Sequence, residues 1–188
     1  MTDNVSQAGP KPRPEDVASP TAIIKAMYET ISGPAGDRNW YRLRSLYVDG
    51  ARLIPIGKRV HKEGGFEMLT LEQWIEDAKS YFAKTDFWET EIVCKTHEFG
   101  NLIQAFSTYE AREDKDGAPV ARGINSIQLV RMDGRWWIVS CMWDNESKDN
   151  PIPDVFLPYL WLKSFNNHPG PSSGLPLFRT IELSGTVD

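Results

Sequence analysis

A chain of 188 residues with 40% hydrophobic and 25% charged side chains has the size and apolar content of one globular domain carrying extensions. Its net charge of −5 argues against a surface built for nucleic acid or anionic membrane, and no apolar run approaches the roughly 20 residues that a bilayer span requires. The stretch MTDNVSQAGPKPRPEDVASP lacks the charged-then-apolar order of a secretory signal, so a cytoplasmic location is expected.

Residues 1–18 are rich in proline, charge and small polar groups, and are expected to form a disordered arm. Ser19-Pro20 reads as a helix start, a serine cap with proline in the first turn. Ile23, Ile24, Met27, Tyr28 and Ile31 follow at helical spacing, and Gly33-Pro34 ends the run. Asp37 can cap a second helix with apolar positions Trp40, Leu43, Leu46 and Tyr47. Arg38, Arg42 and Arg44 in this region read as a solvated helix face rather than a basic patch. Asp49-Gly50 then marks a turn before a short strand, ARLIPIGK, in which Pro55 suits an edge or a bulge. Thr70 and Gln73 make a capping box for a third helix, whose stripe runs through Leu71, Trp74, Ile75, Ala78, Tyr81 and Phe82.

From Asp86 the period changes from helical to alternating. FWETEIVCKTHEF and LIQAFSTYEAR flank Gly100-Asn101, and VARGINSIQLVRM and RWWIVSCMWDNE flank Asp133-Gly134, each a two-residue hairpin turn. Cys94 and Cys141 fall in separate strands without metal-site spacing and are expected as buried free thiols; no cofactor is expected. Helices first and long antiparallel strands after them make an α+β fold. Residues 19–146 form the domain, and the proline-rich residues 147–188 an irregular extension.

The second hairpin poses a problem of cover. Its turn opposes Met132 to Arg135, Arg131 to Trp136 and Val130 to Trp137. One face then carries Asn125, Ile127, Leu129, Trp136, Ile138, Ser140 and Met142; the other carries Ser126, Gln128, Val130, Trp137, Val139, Cys141 and Trp143. Both are too apolar for water, so the sheet is covered twice. The helices take the first face. A second copy of the chain, in a two-fold homodimer through Trp137 and Trp143, is favoured for the other, the extension VFLPYLWLKSF being the alternative.

RLRSLYVDGARL, CKTHEFGNLIQAFSTYEAR and RGINSIQLVRMDGRWWIVSCMWDNE together resemble the nuclear transport factor 2-like superfamily over residues 20–146, most closely its bacterial members of undetermined activity. The resemblance implies a cone-shaped, strongly curved antiparallel sheet wrapped around three N-terminal helices, an apolar pocket at its open end, and homodimers through the outer sheet face. It leaves the activity open, since isomerases, dehydratases, cyclases and non-catalytic association domains share the fold. Steroid isomerase-like members place a basic aspartate where Ile54 stands here, and an isoleucine moves no protons. Asp49 nearby fits the turn better. Scytalone dehydratase-like members carry a pocket asparagine at the position of Asn125.

The expected ligand is accordingly a small apolar or aromatic molecule. His61, Tyr109 and Asn125 are the candidate proton-transfer residues, and Tyr28, Tyr81, Trp136 and Ile138 the candidate pocket residues. Against each stands a structural role: a loop position for His61, a packed helix stripe for Tyr28 and Tyr81, an internal hydrogen bond for Asn125. His97, on a face with Lys95 and Glu91, is expected outward or in the dimer seam, and His168 solvated in the extension. Glu110 is expected to pair with Arg112 or Arg122. A pocket that binds without reacting, and an extension that docks a partner through NPIPDVFLPYLWL, are the alternatives to catalysis.

Overall fold

The computed structural model describes residues 11–57 and 65–158. Ser19 caps α1 (Pro20–Ile31) by accepting a hydrogen bond from the Ala22 amide at 3.1 Å. Thr70 and Gln73 close the expected capping box on α3 (Leu71–Phe82). Between them α2 is a single short turn, Trp40–Arg44, capped by Asn39. It is shorter than its apolar spacing suggests because Tyr47 already opens strand β1 (Tyr47–Pro55). Asp49-Gly50 therefore lies inside that strand, at an irregularity between Tyr47 and Arg52 where Gly50 takes φ of +77°.

Five further strands complete one sheet: β2 (Leu69–Thr70), β3 (Trp88–Phe99), β4 (Leu102–Arg112), β5 (Ala121–Met132) and β6 (Arg135–Asn145), in the order β2-β1-β6-β5-β4-β3. Both hairpins turn where expected, with Phe99 opposite Leu102 and Met132 opposite Arg135. Asp133 and Gly134 adopt φ of +53° and +75°, the left-handed pair that matches the twist of the strands they join. The sheet is mixed rather than antiparallel, because β1 runs parallel to β6. No hairpin ties the two strands, so the direction of β1 is set by packing and not by a turn.

Two bulges decide which side chains face the helices. In β6, Leu129 opposes Ile138 but Gln128 opposes Ser140, leaving Val139 as the extra residue. In β3, Glu91 opposes Tyr109 and Val93 opposes Thr108, leaving Ile92. Each extra residue reverses the alternation beyond it. Cys141 and Trp143 therefore turn inward with Ile127 and Asn125, where strict alternation places them outward with Trp137. Met142 and Ser140 move to the outer face in exchange. Likewise Glu91 faces inward, while Lys95 and His97 stay outside.

The core is built from α1 (Ile23, Ile24, Met27), Leu43, Leu46, Ile75 and the inner face of β4–β6, with Ile127, Leu129 and Ile138 fully buried. Trp137 remains outside, and the Arg135 guanidinium lies 3.5 Å from its ring centroid, a cation–π cap over the indole. Around Phe106 and Thr108 the outer face is covered by the start of the extension. Phe156 stacks on Phe106 with ring centroids 5.3 Å apart, and the Thr108 hydroxyl donates to the Phe156 carbonyl at 2.7 Å. Glu110 pairs with Arg112 on the same face. Residues from Tyr159 onward, with His168, lie outside the described residues.

The three arginines near α2 are neither a basic patch nor a solvated face. Arg38 is buried and donates to the carbonyls of Ile31, Gly33, Pro34 and Gly36, satisfying the loop that follows α1. Arg42 grips Asp16 through two bonds of 2.7 Å and also reaches Glu29. Arg44 makes a two-pronged contact with Glu72. Asp16 belongs to a 3-10 turn, Pro14–Val17, and Val17 is 5% exposed in the core. The docked part of the chain thus begins within the arm expected over 1–18.

Gly123 faces Tyr109 and Asn145 across the sheet, and a Cβ there would come within 2.3 Å of the Asp144 carbonyl oxygen and 2.5 Å of the Tyr109 hydroxyl. The tyrosine ring uses the space that the glycine leaves. Gly123→Ala is expected to cost about 1–3 kcal/mol through overpacking, read as a lower urea midpoint. An unchanged midpoint would show that the strand pair yields without strain.

Candidate functional site

Between α1, α3 and the inner face of the sheet lies a cavity of about 810 Å³. Most of its wall is apolar or aromatic: Met27, Ile31, Leu43 and Leu53, with Trp74, Phe82, Phe87 and Trp143. Trp74, Phe82 and Phe87 belong to one cluster, in which Trp74 packs edge-on against Phe82 and Phe82 lies against Phe87, centroids 6.4 and 5.2 Å apart. Asp77, Tyr81, Glu113 and Val120 line the cavity where it meets solvent. Glu89, Asn125, Tyr47 and Cys141 line its interior.

Glu89 is the carboxylate of that interior. It opposes Ala111 on β4, one inward position from the Glu91–Tyr109 pair. Burial pushes its carboxyl up from 4.5 to about 7, partly offset by the hydrogen bond from Asn125. The Asn125 amide nitrogen sits 3.3 Å from Glu89 Oε1 and 3.0 Å from the Tyr28 hydroxyl. Tyr28 in turn lies 2.7 Å from Ser107 Oγ, which donates to Glu91 Oε2 at 2.6 Å. Because Ser107 gives its proton to a carboxylate and Asn125 gives one to Tyr28, the tyrosine donates to Ser107 and accepts from the amide. The network fastens α1 to β4 and β5 and aims an amide N–H at Glu89.

Two buried polar groups on the cavity wall keep capacity to spare. Asn125 is 5% exposed and its Oδ1 accepts no hydrogen bond among the described residues; Tyr47 is 5% exposed and its hydroxyl has no such partner either. Burial and the nearby thiol and carboxylate raise the Tyr47 phenol well above its ordinary value, and burial does the same for Tyr28. Burial likewise raises the Cys141 thiol, so it is a neutral, inert sulfhydryl at physiological pH. Tyr109 donates to Asn145 Oδ1 at 2.6 Å on the same wall. No group of three or more metal-ligating side chains occurs among the described residues.

The residues singled out from the sequence are distributed unevenly. Tyr109 and Asn125 line the cavity, Tyr81 stands at its mouth, and the Tyr28 hydroxyl holds Asn125 from behind. Trp136 and Ile138 lie in the apolar core and are not part of the cavity wall, since they precede the Val139 bulge and pack beside Leu129. His61 lies outside the described residues. Sequence reasoning missed Glu89, Tyr47 and Asn145. Only the β3 alternation pointed to Glu89, and the bulge at Ile92 obscured it.

No protein-family model matches the chain, and no curated protein matches its sequence. Solved structures do. An NTF2-like protein of unknown function from Pseudomonas putida KT2440 superposes with a TM-score of 0.53 at 11% identity, covering 71% of this chain and 91% of that one. A protein of unknown function with a cystatin-like fold from Nostoc punctiforme PCC 73102 gives 0.54 at 6% identity, over 68% and 89%. A function-unknown protein from Mycobacterium tuberculosis gives 0.53 at 12%, over 71% and 75%. The chain has an NTF2-like fold. At these identities the likeness extends to the fold alone. Among the described residues of this NTF2-like chain, no helix is long and apolar enough to cross a membrane.

The raised Glu89 carboxyl links stability to pH. The folded protein holds this proton to about pH 7, whereas an unfolded chain releases it near 4.5. Between those values the folded state binds more protons, so this group's contribution to stability falls as pH rises, by about 3 kcal/mol in all. Glu89→Gln is therefore expected to be more stable than the parent at pH 8, with the gap closing near pH 4.5. Urea unfolding at the two pH values measures it, and an equal gap at both would contradict the assignment.

Proposed function

We propose that the cavity is a binding site for a small, largely apolar organic molecule, and that Glu89 transfers a proton on it. The observation that carries this reading is a carboxyl group set in an aromatic-lined cavity, oriented by an amide N–H. A carboxyl that titrates near neutrality can both take and return a proton, which suits an isomerase, dehydratase or cyclase type of step. In its ionised form Glu89 accepts a proton from an activated C–H of the substrate; returned to a different atom, that proton completes an isomerisation. The Tyr47 hydroxyl is a donor available to the negative charge that develops meanwhile. In this reading the proton-transfer role expected of His61, Tyr109 and Asn125 passes to Glu89, with Asn125 as its orienting partner and Tyr109 as a wall residue. The strongly curved cone wrapped around the helices belongs to the same reading, the cavity being its open end.

A two-fold homodimer through the outer sheet face remains part of the proposal, supported by Trp137 and the exposed Met142. Trp143 has no place in that interface.

Native mass spectrometry of protein purified from cells, under gentle and then denaturing conditions, reads the assembly state and any retained organic molecule. A recovered molecule is then offered back as substrate. Turnover is expected to fall about 100-fold or more in Glu89→Gln, with binding kept within a few-fold. A ligand that binds equally well to both proteins and returns unaltered from each would favour a binding domain without chemistry.

A further inference from the structure

Among the described residues the mouth of the cavity carries charge of one sign. Asp77 and Glu113 line it, and among the described lining residues there is no lysine, arginine or histidine. Asp77 and Tyr81 are four residues apart on α3, and Trp74 is one turn before Asp77, so the three share one helix face. The Tyr81 hydroxyl donates to Glu113 Oε1 at 3.1 Å, which ties that face to the end of β4. The mouth thus offers two carboxylates beside aromatic rings, acceptors and π faces together. Deeper in, the Asn125 Oδ1 and the Tyr47 hydroxyl have no hydrogen-bond partner among the described residues, and both residues are 5% exposed, so the same cavity offers polar groups to a ligand.

We infer that the ligand of this cavity is a cationic amine with an apolar or aromatic body, its ammonium group held at the mouth by Asp77 and Glu113 against the rings of Trp74 and Tyr81. The inference rests on the binding reading above and names its substrate class. An ammonium group is donor-only and matches a mouth made of acceptors. Aromatic faces attract a cation through the ring quadrupole. An anionic ligand would instead meet Asp77 and Glu113 at entry and Glu89 within. Held at the mouth, the positive charge leaves Glu89 free for the reacting atom and favours its ionised form.

Three probes of nearly equal shape separate the charges: tryptamine, 3-propylindole and indole-3-acetate, titrated into the full chain at low salt and followed by saturation-transfer NMR and calorimetry. Tryptamine is expected to bind about ten-fold or more tighter than 3-propylindole, a gap of about 1.4 kcal/mol, with indole-3-acetate weakest. The tryptamine preference is expected to shrink as sodium chloride rises, and to fall below about three-fold in the double variant Asp77→Asn, Glu113→Gln. Both positions are exposed, so that variant should fold like the parent. Equal binding of 3-propylindole and tryptamine, or tighter binding of indole-3-acetate, overturns the amine assignment and leaves the cavity reading intact. Failure of all three probes to bind counts against the cavity as a ligand site, and against the amine with it.

Discussion

One extra residue in the last strand governs the inner surface of this protein. Side chains alternate along a strand, so a single unpaired residue exchanges the two faces for everything beyond it. Val139 is that residue in β6. Without it Cys141 and Trp143 would point away from the helices, and the cavity would lose its inner sulfhydryl and one of its aromatic walls. The matching bulge at Ile92 in β3 turns Glu91 toward Ser107. Both bulges bring side chains toward α1 that a regular sheet would send outward, and the polar network that fastens α1 depends on the second of them.

That network does two things with the same atoms. Glu91, Ser107, Tyr28 and Asn125 join three strands to a helix, and the bonds at Tyr28 are buried, where a low-dielectric interior makes them strong when satisfied and costly when not. The chain of donors also fixes the direction of the Asn125 amide, so that its N–H points at Glu89. A carboxyl in an apolar cavity resists ionisation, and the hydrogen bond from the Asn125 amide offsets part of this. The site is therefore held by groups that also hold the fold, and the stability cost of an ionised Glu89 is the counterpart of the proton-transfer role proposed for it.

The problem of cover posed by the second hairpin has a partly local answer. Trp137 is capped by Arg135 from its own strand, two residues away, and the neighbouring β3–β4 surface is covered by Phe156 from the extension. The sequence pattern asked for cover on both faces, and part of the outer face, at Met142 and Leu102, is exposed in the single chain. It could not show that the cover near Phe106 comes from the same chain, because a proline-rich segment carries no periodicity that says where it lies.

Local chemistry wrote the elements into the sequence. A serine cap and proline start α1, a capping box starts α3, and two turns with left-handed residues set the hairpin registers, because each depends on neighbours a few residues apart. The α+β class followed from that order and the NTF2-like fold from the resemblance of particular segments, and Asn125 and Tyr109 were legible as inward residues because the extra residues lie in β6 and β3, leaving β5 and β4 in strict alternation. What only the tertiary structure decided is non-local. The parallel pairing of β1 with β6 brings Tyr47 to the cavity wall, the bulges reassign Trp143 and Glu91, and Arg38 spends its charge on four carbonyls of one loop. Glu89 looks in the sequence like one more acid in a charged strand. Its character comes from apolar side chains contributed by α1, α3 and β6, and no residue near it in the chain announces that surrounding.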